Sequence, residues 1–144
     1  MRALLDINVL LALLDEDHGF HDRAHAWFGN HFSLGWASCP LTENGLVRIR
    51  SHPQYHPVNR RSPSDVIAAL GTFVSAGNHE FWPDLPTLRD STRFDPSRIL
   101  GPRQITDLYL LALATERGGR LVTFDEGVNL AAVPRATKAN LCVI

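Results

Sequence analysis

Lysine is almost missing from this sequence. Thirteen of its 14 basic residues are arginine and only Lys138 is lysine, set against 15 acidic residues. With a formal net charge of −1, no global basic field draws the chain to a polyanion or an anionic membrane surface. A local patch of arginine forks is not excluded by that balance. The two cysteines, Cys39 and Cys142, are too few for a disulfide scaffold. Both sit in apolar segments and read as buried free thiols. No apolar run is long enough to cross a bilayer, because the one at the start is broken by Asp6 and followed by Asp15, Glu16 and Asp17. A core strand that begins almost at Met1 leaves no room for a cleaved leader, so the chain is expected to be cytoplasmic. Phosphate-cradling P-loops, G-x-G-x-x-G and G-x-S-x-G are all absent. This argues against nucleotide-driven enzymes, dinucleotide binders and serine hydrolases of those types.

What is present is an ordinary globular composition, 44% hydrophobic and 20% charged over 144 residues, which suits a single domain spanning 1–144. The first fourteen residues organise the rest. Ala3 to Leu5 form an apolar run without polar alternation, as in a strand buried on both faces of a parallel sheet. Asp6 interrupts it, Asn8 follows, and apolar residues resume from Val9 to Leu14 as a helical stripe. Further helices are expected over Phe20–Phe32, from Thr42 onward, from Ser62-Pro63 through Val74, weakly over Thr87–Phe94, and from Thr106 to Gly118-Gly119. A short one is expected over Val128–Ala132. Strands are expected over Leu34–Cys39, Glu80–Trp82, Arg120–Phe124 and Leu141–Ile144. Strands alternating with helices predict an α/β fold whose parallel sheet is covered on both faces.

Four acidic residues occupy matching places in that pattern. Asp6 follows the first strand, Glu43 lies in the first helical turn after the second, Asp107 opens the strongest helix and Asp125 follows the fourth strand. In an open α/β sheet these places share the edge where ligands bind. Taken one at a time, Glu43 and Asp107 need be no more than first-turn acids that complement a helix dipole, and Asp125 no more than a turn residue. Asp6 is harder to dismiss, since a carboxylate flanked by apolar residues is costly unless its pocket holds solvent or a cation. Their joint occurrence on one edge favours a hard cation such as Mg2+ or Mn2+, able to assist displacement at a phosphodiester.

The stretches Leu4-Leu5-Asp6-Ile7-Asn8-Val9-Leu10, Cys39-Pro40-Leu41-Thr42-Glu43-Asn44-Gly45, Thr106-Asp107-Leu108-Tyr109-Leu110 and Val122-Thr123-Phe124-Asp125 resemble, in order and spacing, the acidic motifs of PIN-domain ribonucleases. The likeness is strongest to VapC-type toxins of bacterial toxin–antitoxin pairs and covers essentially the whole chain. It implies a three-layer α/β/α sandwich with a five-stranded parallel sheet of order 3-2-1-4-5. It also implies divalent-metal-dependent cleavage of RNA, a homodimer, and silencing by a small VapB-type antitoxin. On that resemblance Asp6, Glu43, Asp107 and Asp125 are the metal-binding and catalytic carboxylates, while Asn8, Thr106 and Thr123 orient ligands or substrate. The family's strand order also places Cys39 and Cys142 on opposite sides of the first strand, so they are not expected to pair.

Other features rank lower. His21 and His25 stand at i, i+4 without a third ligand and read as an exposed helix face. Arg48, Arg50, Arg60, Arg61, Arg98 and Arg103 are candidate phosphate contacts. Among rival functions, a phospho-receiver domain lacks support because no acidic pair follows the first strand. An Asp-x-Asp phosphatase would need an acid where Asn8 stands. A catalytically silent PIN-fold binding domain remains the other reading until RNA cleavage is assayed.

Overall fold

The computed structural model describes residues 1–144. Strand β1 (Ala3–Leu5) leads through Asp6 into α1 (Ile7–Leu14), followed by α2 (His21–His31), β2 (Trp36–Ser38) and α3 (Pro40–Arg50). Then come α4 (Pro63–Ser75), β3 (His79–Phe81), α5 (Ile105–Glu116), β4 (Arg120–Thr123) and β5 (Leu141–Val143). The sheet has five strands in the order β3-β2-β1-β4-β5, and every neighbouring pair is parallel. The expected order and sandwich are therefore what forms.

Alternation along each strand sends successive side chains to opposite faces. Ala3, Leu5, Trp36 and Val122 join one core with residues of α1 to α4, including Leu10, Leu46 and Leu70. Leu4, Ala37 and Leu121 join the other, with Leu108 and Leu111 of α5. Helix α5 buries more than the stripe read from the sequence: Leu110, Leu113 and Ala114 are enclosed as well. On the opposite layer α3 lies so close to α1 that a Cβ on Gly45 would sit 2.4 Å from Ile7 Cδ1. Gly118 ends α5 with φ +64°, the left-handed region that favours glycine. No helix is long and apolar enough to cross a membrane.

Thr87–Phe94 is not a helix. The Asp90 side chain takes the backbone N–H of Thr92 at 2.9 Å and its hydroxyl at 2.7 Å, a local turn that competes with helical pairing. Only Phe94 of that stretch is drawn into the core. Val128–Ala132 shrinks to a 3-10 turn over Leu130–Ala132, capped by Asn129. Helix α3 starts at Pro40 rather than Thr42, with the proline in its first turn, where a missing N–H costs nothing. Cys39 is buried and Cys142 half-buried; both are free thiols, and β1 and β4 lie between their strands in the sheet.

Candidate active site at the carboxyl edge

Parallel strands deliver their carboxyl ends to one edge, and α5, which runs back into β4, brings its first turn to the same place. Asp6 caps α1 from an extended backbone. Its Oδ1 accepts the Ile7 N–H at 2.7 Å and its Oδ2 accepts the Thr123 hydroxyl at 2.6 Å. Thr123 is fully buried. Its oxygen also accepts the Asn8 side-chain amide and the Asp125 N–H, both at 3.1 Å. Asn8 Oδ1 in turn accepts the Phe124 N–H at 3.4 Å, and Asp125 Oδ1 accepts the Gly127 N–H at 2.7 Å. One hydroxyl thus ties Asp6, Asn8 and the loop carrying Asp125 together.

Burial raises the Asp6 carboxyl above its ordinary range against the pull of the Thr123 and Ile7 hydrogen bonds, and the Asp125 charge adds to the rise. Asp107, in the first turn of α5, is pushed up to about 7, by burial first, then by the charges of Asp6 and Asp125 and a hydrogen bond its protonated form makes to Asp125. Every influence on Asp107 acts in the same direction. The fold therefore concentrates negative charge at this edge without a cationic side chain to offset it.

Glu43 is held separately. Ser38 Oγ–H donates to Glu43 Oε1 at 2.6 Å and, with its single hydrogen so used, accepts His79 Nε2–H at 2.7 Å. Burial lowers the His79 pKa, opposed in part by the Glu43 charge, so the neutral ring that donates through Nε2 is the form this chain of bonds uses. Ser38 follows Trp36 on the α1–α4 face of β2, whereas Thr123 follows Leu121 on the α5 face of β4. That difference of face separates Glu43's support from that of the three aspartates. Glu43 is not among the charges that shift Asp6 or Asp107. Thr106 lies half-buried beside Asp107 in the first turn of α5 and is bonded to none of these groups. The structure thus gathers Asp6, Asp107, Asp125, Asn8 and Thr123, and leaves Glu43 and Thr106 at the margin.

Sequence reasoning missed Ser38 and His79. The usable signal was a polar side chain in the apolar run Ala37-Ser38-Cys39 five residues before Glu43, the same irregularity that marks Asp6. His21 and His25 hold the fold together instead of a metal. Their ring N–H groups donate to the Ala12 and Leu13 carbonyls at 2.7 and 2.9 Å, closing the end of α1. Arg50 is buried, with its guanidinium over the Tyr55 ring, and Arg98 pairs with Asp95; neither is a free phosphate contact.

The carboxylates of Asp6, Asp107 and Asp125 are hard oxygen ligands and suit a divalent cation such as Mg2+ or Mn2+, whereas the Thr123 oxygen is saturated by its three hydrogen bonds and serves to position them. No three acidic, histidine or cysteine side chains stand ready around one point; the carboxylates of Asp6, Asp125 and Glu43 are turned to donors of the chain. Two hollows lie away from the three aspartates. One of about 340 Å3 lies at the far end of α1, and a groove of about 520 Å3 between α3 and α4 reaches Glu43 at one end.

A parallel 3-2-1-4-5 sheet with carboxylates gathered at its edge is the architecture of a known nuclease-type fold, and residues 3–135 match the family model of the PIN domain. The chain belongs to the PIN-domain family. Within it, the chain is 49% identical over 147 residues to ribonuclease VapC44 of Mycobacterium tuberculosis H37Rv, covering all of both chains. It is 44% identical over 125 residues to ribonuclease VapC39 of the same strain, covering 87% of this chain and 89% of that one. VapBC2 from Rickettsia felis, solved bound to a DNA fragment from its promoter, matches with TM-score 0.60 and 14% identity over 100% of this chain and 98% of that one. At that identity the likeness is one of fold.

Proposed function

We propose that this chain is a VapC-type toxin: a metal-dependent endoribonuclease that hydrolyses RNA phosphodiester bonds and is neutralised by a small VapB-type antitoxin. On this reading it acts in the cytoplasm as one PIN domain over residues 1–144 and as a homodimer, and its cation is Mg2+ or Mn2+. The observation that carries the reading is the meeting of Asp6, Asp107 and Asp125 at one sheet edge, where the Asp125 charge adds to the rise of the Asp6 carboxyl and the charges of Asp6 and Asp125 add to that of Asp107. Relatedness to proteins named ribonuclease VapC supports the choice of RNA.

A divalent cation held there supplies Lewis-acid stabilisation of the charge that develops on the phosphodiester oxygens. Asp6 and Asp107 would hold it, and Thr123 fixes the Asp6 rotamer by donating to Oδ2. Asn8, locked between Thr123 and the Phe124 N–H, orients ligand or substrate, as does Thr106 beside Asp107. Asp125, on its turn, would act through water or bind a second ion. Glu43, aimed by Ser38, orients the attacking water. No histidine is required as the base.

The test is incubation of the purified chain with total RNA in Mg2+, in Mn2+ and in EDTA, with new ends mapped by sequencing. Discrete cleavage in either metal, absent in EDTA and in Asp6→Asn, is expected. Intact RNA in both metals with folded protein would leave the chain a silent binding domain.

A further inference from the structure

Where β4 ends, aromatic rings gather at the surface on the α1–α4 side of the sheet. Phe124, between Thr123 and Asp125 in the chain, has its ring centroid 4.8 Å from that of Phe20 at a 37° tilt. Arg23, in α2, sets its guanidinium carbon 5.6 Å from the Phe20 centroid and 5.9 Å from that of Phe124. Phe124 packs against the α1–α4 core, whereas Phe20 belongs to neither core and leaves 46% of its surface in water. Phe20 is therefore not explained by packing: its ring partners are Phe124, His18 and the Arg23 guanidinium.

Charge narrows the choice of occupant. A polyanion approaching Asp6, Asp107 and Asp125 is repelled unless cations flank the approach. Arg23 is exposed and takes part in none of the fold's salt bridges, so its charge is available there. Arginine and phenylalanine faces together form the kind of surface on which unpaired bases stack, and every base offers a π-face. The surface is keyed to the site by the Phe124 N–H bond to Asn8 and by the chain itself, since Thr123 and Asp125 flank Phe124.

We infer that Phe20, Phe124 and Arg23 form a stacking platform for a nucleobase of single-stranded RNA, next to the phosphodiester presented to the carboxylates. This rests on the ribonuclease reading above and adds to it the side chains that hold an unpaired base near the bond to be cut.

The test is fluorescence anisotropy of a labelled twelve-nucleotide oligouridylate with the Asp107→Asn protein, chosen to slow cleavage, in Mg2+. Phe20→Ala, Phe20→Trp and Arg23→Ala are added one at a time. Phe20→Ala is expected to weaken binding about 5- to 150-fold, the loss of one base–aromatic stack, and Phe20→Trp to stay within about twofold of its parent. An abasic oligomer of the same length should bind with and without Phe20→Ala alike. Arg23→Ala should weaken both oligomers and lower the salt dependence of binding. Equal melting midpoints will show that Phe20→Ala is folded, as a side chain outside both cores allows.

Oligouridylate binding unchanged by Phe20→Ala overturns the inference. So does an equal loss on the abasic oligomer, or a change only in self-association or antitoxin binding, which would make the patch a protein contact. Cleavage of total RNA by the unmutated chain decides the ribonuclease reading separately. Cleavage with Phe20-independent binding leaves a nuclease without this platform; Phe20-dependent binding without cleavage leaves the platform without a nuclease.

Discussion

Replacing Asp107 by Asn removes one negative charge at nearly constant shape, and the structure gives the sign of the result. The Asp107 carboxyl rises from its ordinary 3.8 to about 7, by burial first and then by Asp6 and Asp125. A raised carboxyl pKa means that the folded state holds the proton more tightly than the unfolded chain. The stabilisation from that proton is complete below about pH 4 and is lost as the pH rises through about 7. A rise of about three pH units corresponds to at most about 4 kcal/mol. Because Asp107 is half-exposed, solvent screening leaves about 1–2 kcal/mol. The same charge in the first turn of α5 gains about 0.3–1 kcal/mol from the helix dipole, which opposes the penalty. Above neutrality in EDTA, Asp107→Asn should therefore be more stable than the parent by about 0.5–1.5 kcal/mol, or about 2–5 °C in Tm. Near pH 4 the advantage should vanish.

Thermal melts of both proteins from pH 4 to 8, with EDTA and with Mn2+, read this directly. Mn2+ should raise the Tm of the parent more than that of the variant, since only binding to the native state produces the shift. RNA cleavage should be lost in the variant. A variant clearly less stable than its parent at pH 8 in EDTA, with cleavage intact, would refute the reasoning. Asp107 would then be a helix cap, and the active site would have to lie elsewhere.

Other outcomes follow from individual contacts. Thr123→Val deletes a buried hydroxyl that makes three hydrogen bonds, one to a carboxylate; urea unfolding should show a loss of about 2–4 kcal/mol, and a loss under about 0.5 kcal/mol would mean that the hydroxyl does not tie the site. Ser38→Ala unties Glu43 and should cut RNA cleavage about tenfold or more with much less effect on unfolding, whereas Ser38→Thr, which keeps the hydroxyl, should retain activity. Cys39 is buried with its thiol pushed up to about 11, so at pH 8 iodoacetamide should label Cys142 first; a native mass short of two thiol hydrogens would reveal a disulfide and contradict the strand order.

The elements most legible in the sequence are those with one simple cause. Ala3–Leu5 is apolar without alternation because both its faces are covered, and Asp6 stands out because its immediate neighbours Leu5 and Ile7 are apolar. The acidic places are readable because a parallel sheet sends every strand's carboxyl end to the same edge. Thr87–Phe94 misleads because Asp90 bonds its own neighbours, and propensity does not report which turn a side chain will close. Ser38 and His79 escape because their importance lies in a contact across 41 positions of sequence. The Phe20 platform escapes for the same reason, since its partner Phe124 arrives from the end of β4. Even the four acids divide on this account: position in the sequence puts Glu43 with the aspartates, while side-chain direction on β2 gives it a different support.

That division makes strand register the link between stability and chemistry. Leu5 of β1 pairs with Val122 of β4, and the Asp6 N–H donates to the Val122 carbonyl at 3.0 Å. The next residues, Asp6 and Thr123, are therefore brought within reach of each other. A slip of one residue would turn Thr123 to the opposite face and take its hydroxyl from Asp6, Asn8 and the Asp125 loop together. It would also move Leu121 and Val122 out of their separate cores. The apolar residues of β4 thus hold the register that the polar residues need, and the cost of crowding carboxylates falls on a pairing the core already enforces. Charge repulsion at the edge can then raise carboxyl pKa values without moving the strands, which keeps the acidic side chains in place to receive a cation.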